Sequence, residues 1–304
     1  MAESQFKFGT VSAALSNDVR DAARVARELG FDGLLLDAYS TSLTVPELSA
    51  TGRRELRHVL ATQNQQLAGL RASVGPKGLG RGADPDRVLS QIDRAMEAAK
   101  GLGAPLLSLD LGPLPRPAKS AKPKPKVTKE QAGLILIPTT SSPPMEITGA
   151  QEPPAPVDME SMAQVDAALA ELGRRADRYG VTVAMRSDLS GFDALERAIQ
   201  QARCPWFGVD LDPVAILRDE WSQDEVFSRL GSLVRHVRAR DAVRGADRRT
   251  QPAPIGRGDV NWDKLMSDLD GAGYRGWITI DPMELTDRVA AAKVGLARLH
   301  KPSD

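Results

Sequence analysis

With 304 residues the chain is long enough for one large α/β domain, since parallel α/β barrels run to ~250 residues before insertions. Forty basic residues balance forty acidic ones, so no global field draws the protein to nucleic acid or to a membrane surface. The single cysteine, Cys204, excludes an internal disulfide framework, and with neither a signal-peptide core nor a ~20-residue apolar run the expected location is cytoplasmic.

Strand and helix signals alternate along the chain. Residues 6–15 form a short apolar run, followed by an amphipathic stretch carrying Val19, Ala22, Ala23, Val25, Ala26 and Leu29. Gly30 closes that helix and leads into a buried strand at Gly33–Asp37. A helix over 46–65 precedes a strand over 67–74. Asp84-Pro85 supplies an N-cap with proline at the first helical position, and the helix to about Leu102 precedes a strand over 105–111.

In the second half, Met159, Met162, Val165, Leu169, Leu172 and Ala176 share one face of a long helix, which Tyr179-Gly180 ends before a strand at 181–185. Helices near 191–202, 220–231, 261–272 and 286–299 alternate with strands over 206–211, 233–239 and 277–280. Continuous apolar strands joined by helices predict a parallel sheet covered on both faces. Eight such units predict a closed (β/α)8 barrel, a TIM barrel spanning 1–304, in preference to a doubly wound open sheet.

Residues 113–157 break this rhythm, holding eleven of the 21 prolines and five lysines between Lys119 and Lys129. A connection this long after strand four is an insertion rather than a loop, and its first part is expected to be extended and solvated. The apolar stretch Gly133-Leu134-Ile135-Leu136-Ile137-Pro138 leaves three roles open: a surface insertion, an arm that docks on a partner or a second copy in a homo-oligomer, or a lid over the mouth.

In a parallel barrel the carboxyl ends of the strands converge on one mouth, where chemistry is done. The last four ends read Ala184-Met185-Arg186-Ser187-Asp188, Val209-Asp210-Leu211-Asp212-Pro213, Val237-Arg238-Ala239-Arg240-Asp241 and Ile278-Thr279-Ile280-Asp281-Pro282, so arginines face aspartates. Of the three histidines, His58 and His300 read as surface or packing residues. His236 shares the facing of Arg238 and is expected lower in the barrel, as a core or substrate-facing group. Cys204 has no base near it in sequence. The glycines at 75, 78, 80 and 82 read as a flap rather than a dinucleotide site.

The second half resembles the xylose-isomerase-like barrels of sugar and sugar-phosphate isomerases and epimerases. The resemblance is carried by GVTVAMRSD, FGVDLDP, LVRHVRARDA and above all PIGRGDVNWDKLMSDLDGAGYRGWITID. In that family four groups hold one divalent cation, and the resemblance places them on Arg186, Asp212, Arg238 and Asp281. Only Asp212 is the family's residue; Asp281 keeps the charge, and the family's further histidines fall on Ala215 and Asp188. Arginine has no acceptor lone pair and does not lose its proton in a protein, so no metal cofactor is expected; arginine–aspartate pairs of Arg186 and Arg238 with Asp212 and Asp281 are expected instead.

Two functions follow. One is a diverged isomerase or epimerase in which Asp212 and Asp281 move the proton and Arg186 or Arg238 steadies an enediolate. The other is a non-catalytic barrel that binds a metabolite or a protein. Either the arginine–aspartate cluster merely neutralises an inherited polar cavity, or its surplus cationic groups hold an anionic sugar, such as a sugar phosphate, or a carboxylate. The binding residues are then Arg71, Asp188, His236, Arg240 and Arg257, the last in a loop where such barrels often bind phosphate. The family that the chain resembles also includes an endonuclease branch, but nucleic acid is not expected here, since net charge is zero and the metal's ligand set is not kept.

Overall fold

The computed structural model describes residues 6–75, 77–79, 83–112, 114, 159–186, 191–245 and 249–300, the side chains of 159–161 and 192 excepted. Eight parallel strands close into a barrel: β1 (Lys7–Val11), β2 (Gly33–Asp37), β3 (Gln66–Ser73), β4 (Leu106–Asp110), β5 (Thr182–Arg186), β6 (Phe207–Leu211), β7 (Val234–Ala239) and β10 (Trp277–Ile280). Closure is made by β1 against β10, with Lys7 opposite Trp277 and Thr10 opposite Ile280. The barrel expected from the sequence is therefore the fold. The 113–157 insertion, and with it any arm or lid, lies outside the described residues apart from Leu114.

Helices cover the outside in the expected order. The chief ones are α2 (Val19–Leu29), α3 (Ala50–Thr62), α4 (Pro85–Leu102), α5 (Met159–Tyr179), α6 (Phe192–Ala202), α8 (Gln223–Leu230), α9 (Trp262–Gly271) and α10 (Arg288–Leu299). Their starts follow the sequence: Asp18, Asp84, Ser222, Asn261 and Asp287 each accept a backbone N–H in the first turn. Gly30 and Gly103 end α2 and α4 in the left-handed conformation.

Three elements differ from the sequence reading. The apolar run at 6–15 is not one strand; it turns after Val11 into a single helical turn, α1 (Ser12–Leu15). A short helix, α7 (Pro213–Arg218), follows β6 directly, started by Asp212-Pro213 in the way that Asp84-Pro85 starts α4. An antiparallel hairpin, β8 (Asp241–Arg244) and β9 (Thr250–Ala253), occupies the connection after β7. Hydrophobic periodicity does not separate such a hairpin from a loop, because Gln251 and Pro252 face solvent.

Period-two alternation stacks the barrel interior in layers. Trp277 fills the bottom: a Cβ on Gly33 would sit 2.8 Å from its ring and 2.4 Å from the Gln66 carbonyl oxygen, so glycine is what admits the indole. Above it lies a polar layer of Ser108, Asp210, His236 and Thr279, each at most 2% exposed. Above that layer the charged residues of the strand ends form the mouth.

Candidate active site

The mouth is built as one alternating chain of charge. Asp37, ending β2, takes two hydrogen bonds from Arg71 of β3, Nε to Oδ1 at 2.6 Å and Nη2 to Oδ2 at 3.0 Å. Arg71 Nη1 reaches Asp281 Oδ2 at 3.0 Å, and Arg238 Nε reaches the same oxygen at 2.6 Å. Arg238 Nη1 lies 3.8 Å from Asp212 Oδ2, which also accepts from Arg240 Nη2. Arg240 Nη1 ends the series on Glu284 at 2.5 Å. The order Asp37–Arg71–Asp281–Arg238–Asp212–Arg240–Glu284 thus crosses the mouth with carboxylate and guanidinium alternating.

The middle of this series, from Asp281 to Arg240, is shielded from water, so its electrostatics are strong, whereas Glu284 at the end is half exposed. Burial opposes ionisation of Asp281, but Arg238 and Arg71 outweigh it and hold that carboxyl far below the usual carboxylate range. Arg238 loses solvation too, and Asp281 and Asp212 more than compensate, so its guanidinium is held charged more firmly than usual. Asp212 Oδ1 accepts from the Val214 N–H and Asp281 Oδ1 from the Met283 N–H. All four oxygens of these two aspartates therefore already have partners.

Arg186 stands apart from the chain. The sequence reading paired it with Asp212 or Asp281; in the fold it faces Asp110, its neighbour in β4–β5 register, with Nη2 2.8 Å from Oδ2. Register and competition decide this. Arg186 is level with Asp110 across β4–β5, Asp212 at the end of the other neighbouring strand is taken by Arg240 and the Val214 N–H, and Asp281 stands three strands away at the end of β10. Below, Asp210 Oδ2 accepts from Ser108 Oγ at 2.5 Å, and Oδ1 lies 2.7 Å from His236 Nδ1. His236 Nε2 lies 2.8 Å from Thr279 Oγ1. His236 is therefore a wholly buried member of the lower layer, where the facing rule put it.

The fold brings Arg71, Arg186, Asp212, Arg238, Arg240 and Asp281 together at the mouth, with His236 beneath. Asp188 lies outside the described residues. Arg257 is exposed on the loop after the hairpin. The N–H groups of Gly256 and Gly258 in that loop, where a phosphate was expected, donate to Asp241 at 2.8 and 3.3 Å. Val260 N–H and Trp262 Nε1 reach the same carboxylate at 3.2 and 3.0 Å, and Ala242 N–H at 2.8 Å.

Asp241 is thus what shapes the Gly-x-Gly-Asp-Val-x-Trp stretch. Asp241→Ala, which strands five donors of which some regain water, is expected to lower unfolding free energy by about 2–4 kcal/mol. Asp241→Asn should cost roughly half of that, since one acceptor oxygen remains. Urea unfolding reads both; an unchanged midpoint for the alanine variant would remove Asp241 from this role.

The sequence reading missed Asp37, Asp110, Asp210 and Ser108 as members of the two layers. The signal was present: β2 and β4 end in Leu-Leu-Leu-Asp and Leu-Ser-Leu-Asp, and Asp210 precedes Asp212 by the two residues that return a strand to the same face. Glu284, four residues beyond the end of β10, carried no such signal.

The family model described as xylose isomerase-like TIM barrel matches residues 23–301. The chain belongs to this family. Solved structures of similar fold include a xylose isomerase domain protein from Planctomyces limnophilus, with TM-score 0.69 and 18% identity over 97% of this chain and 94% of that one. D-psicose 3-epimerase from Clostridium cellulolyticum H10, solved with D-tagatose, has TM-score 0.68 and 14% identity over 97% and 98%. The 3-keto-D-glucoside 4-epimerase of E. coli has TM-score 0.65 and 17% identity over 97% and 99%. At these identities the likeness to the solved structures is one of fold. No curated protein matches the chain. Among the described residues, no group of three or more His, Cys, Asp or Glu side chains converges as the family's cation site would.

Proposed function

We propose that this member of the xylose isomerase-like family binds a sugar or sugar acid at its C-terminal mouth and does not use metal-assisted proton transfer. One observation carries the reading: Arg238 lies between Asp281 and Asp212, 2.6 Å from one and 3.8 Å from the other, so a fixed guanidinium takes the place of a dissolved cation. A divalent ion needs several neutral or anionic donors at ~2.0–2.6 Å. Here two of the four positions are guanidinium and the two carboxylates are committed to other partners, so the residues present do not fit the family's metal.

The same pairs weigh against Asp281 as a proton shuttle. A general base works best with a pKa near the working pH, and Asp281 is held far below it by Arg238 and Arg71. What remains is a polar mouth in which Arg186 and Arg240 keep unpaired N–H groups, which suits recognition of a polyhydroxylated ligand. The nearest alternative, retained isomerisation with Arg186 or Arg238 steadying an enediolate, requires one of these carboxylates to exchange a proton while ion-paired.

Titration of the dialysed protein with Mn²⁺ and Zn²⁺ by calorimetry, with elemental analysis of the purified chain, tests the reading. No stoichiometric binding is expected. Tight one-to-one binding would overturn it and restore the ordinary family mechanism. Conversely, Arg186→Glu together with Arg238→His is expected to create metal affinity, because it restores acceptor groups at both positions.

A further inference from the structure

We infer that Arg186 is the seat of a single carboxylate on the ligand, so that the mouth selects a polyhydroxy acid over a sugar phosphate or a neutral sugar. The inference rests on the sugar-binding reading above and adds the class of ligand to it.

Arg186 is 11% exposed, yet only its Nη2 is bonded, to Asp110. Its Nε and Nη1 are buried with no hydrogen-bond partner. Buried guanidinium N–H groups are almost always satisfied, and leaving them bare is costly. Arg71, by contrast, places all three of its nitrogens on Asp37 and Asp281. Among the described residues at the mouth, Arg240 Nε is likewise buried and unpaired. The unpaired donors therefore lie on the β5–β7 arc of the mouth, and Arg71 on the β2–β3 side is saturated.

Charge sets the kind of anion. Four guanidinium groups, of Arg71, Arg186, Arg238 and Arg240, face five carboxylates, of Asp37, Asp110, Asp212, Asp281 and Glu284, so the mouth has no surplus of positive charge and an added anion gains from unpaired N–H groups rather than from net charge. A phosphate dianion would meet Asp110 and Asp212 with no spare cation to offset it. A carboxylate brings one delocalised charge and acceptor oxygens for the open N–H groups. The loop amides that could otherwise have cradled a phosphate are already given to Asp241.

Calorimetry on the full chain with D-gluconate, D-glucitol and D-glucose 6-phosphate at neutral pH tests the assignment. Gluconate is expected to bind saturably, with glucitol and the phosphate each weaker by roughly tenfold or more. Arg186→Gln combined with Asp110→Asn removes the ion pair as a unit, so neither partner is left charged and alone; it should lose gluconate by a similar factor while keeping the parent's circular dichroism. Arg186→Lys should also weaken binding, since an ammonium cannot serve two separate acceptors from a fixed plane. Absence of saturable gluconate binding, undiminished affinity in the folded double variant, or preference for the phosphate or glucitol would each overturn the assignment. Stoichiometric Mn²⁺ binding sinks the metal-free reading, whereas gluconate affinity indifferent to Arg186 sinks only this one.

Discussion

Replacing Arg238 with methionine is expected to destabilise the protein by about 3–5 kcal/mol, a fall of roughly 10 °C in melting temperature for a chain of this length. Methionine keeps most of the volume, so the loss is of charge and not of packing. Asp281 is then left with Arg71 alone, and Asp212 with Arg240 alone, each nearly buried. Breaking a buried pair by removing one partner is far more damaging than never having built it, because the surviving charge stays desolvated. Arg238→Met with Asp281→Leu should therefore recover part of the loss, whereas two independent sites would add. Arg238→Lys should fall between, keeping the charge without the guanidinium geometry. A melting temperature within a degree or two of the parent for Arg238→Met would show that the ion chain does not hold the mouth together.

The readability of this protein from sequence divides along a physical line. The barrel was legible because continuous apolar strands and capped amphipathic helices are local patterns: Asp84-Pro85 and Gly30 mark helix ends without help from the rest of the chain. The facing of Arg238 and His236 was legible for the same reason, since alternation is a property of one strand. Partner choice was not. Arg186 meets Asp110 across 76 positions of sequence, and that meeting depends on strand adjacency and register. The lower layer is half-legible: a buried histidine is expected from the facing of strand seven, but its carboxylate partner Asp210, set between Val209 and Leu211, is singled out by no local pattern beyond its two-residue spacing from Asp212. The hairpin after β7 was hidden because its strands are short and largely exposed, so they carry no apolar alternation.

That lower layer is also a place where acid should undermine the fold. Burial alone would raise the Asp210 carboxyl, but the His236 ring beside it and Arg186 above it outweigh burial and bring it down to about 2, from an ordinary 3.8. Because the folded value lies below the unfolded one, folding favours the ionised form. The resulting stability, roughly 2 kcal/mol from the size of the shift, is fully present above about pH 4 and drains away as pH falls toward 2. Asp281 is held lower still and adds to the same acid limb. Asp210→Asn separates the two. At pH 7 the variant should be less stable than the parent by about 2–4 kcal/mol, because an amide cannot accept from both Ser108 and His236 as a carboxylate does. Between pH 4 and 2 the gap should narrow, since the parent loses what the variant never had. Urea midpoints measured at a series of pH values read this directly. A gap that stays constant down to pH 2 would mean that Asp210 is not the ionised anchor beneath the arginine layer, and that its hydrogen bonds to Ser108 and His236 serve packing alone.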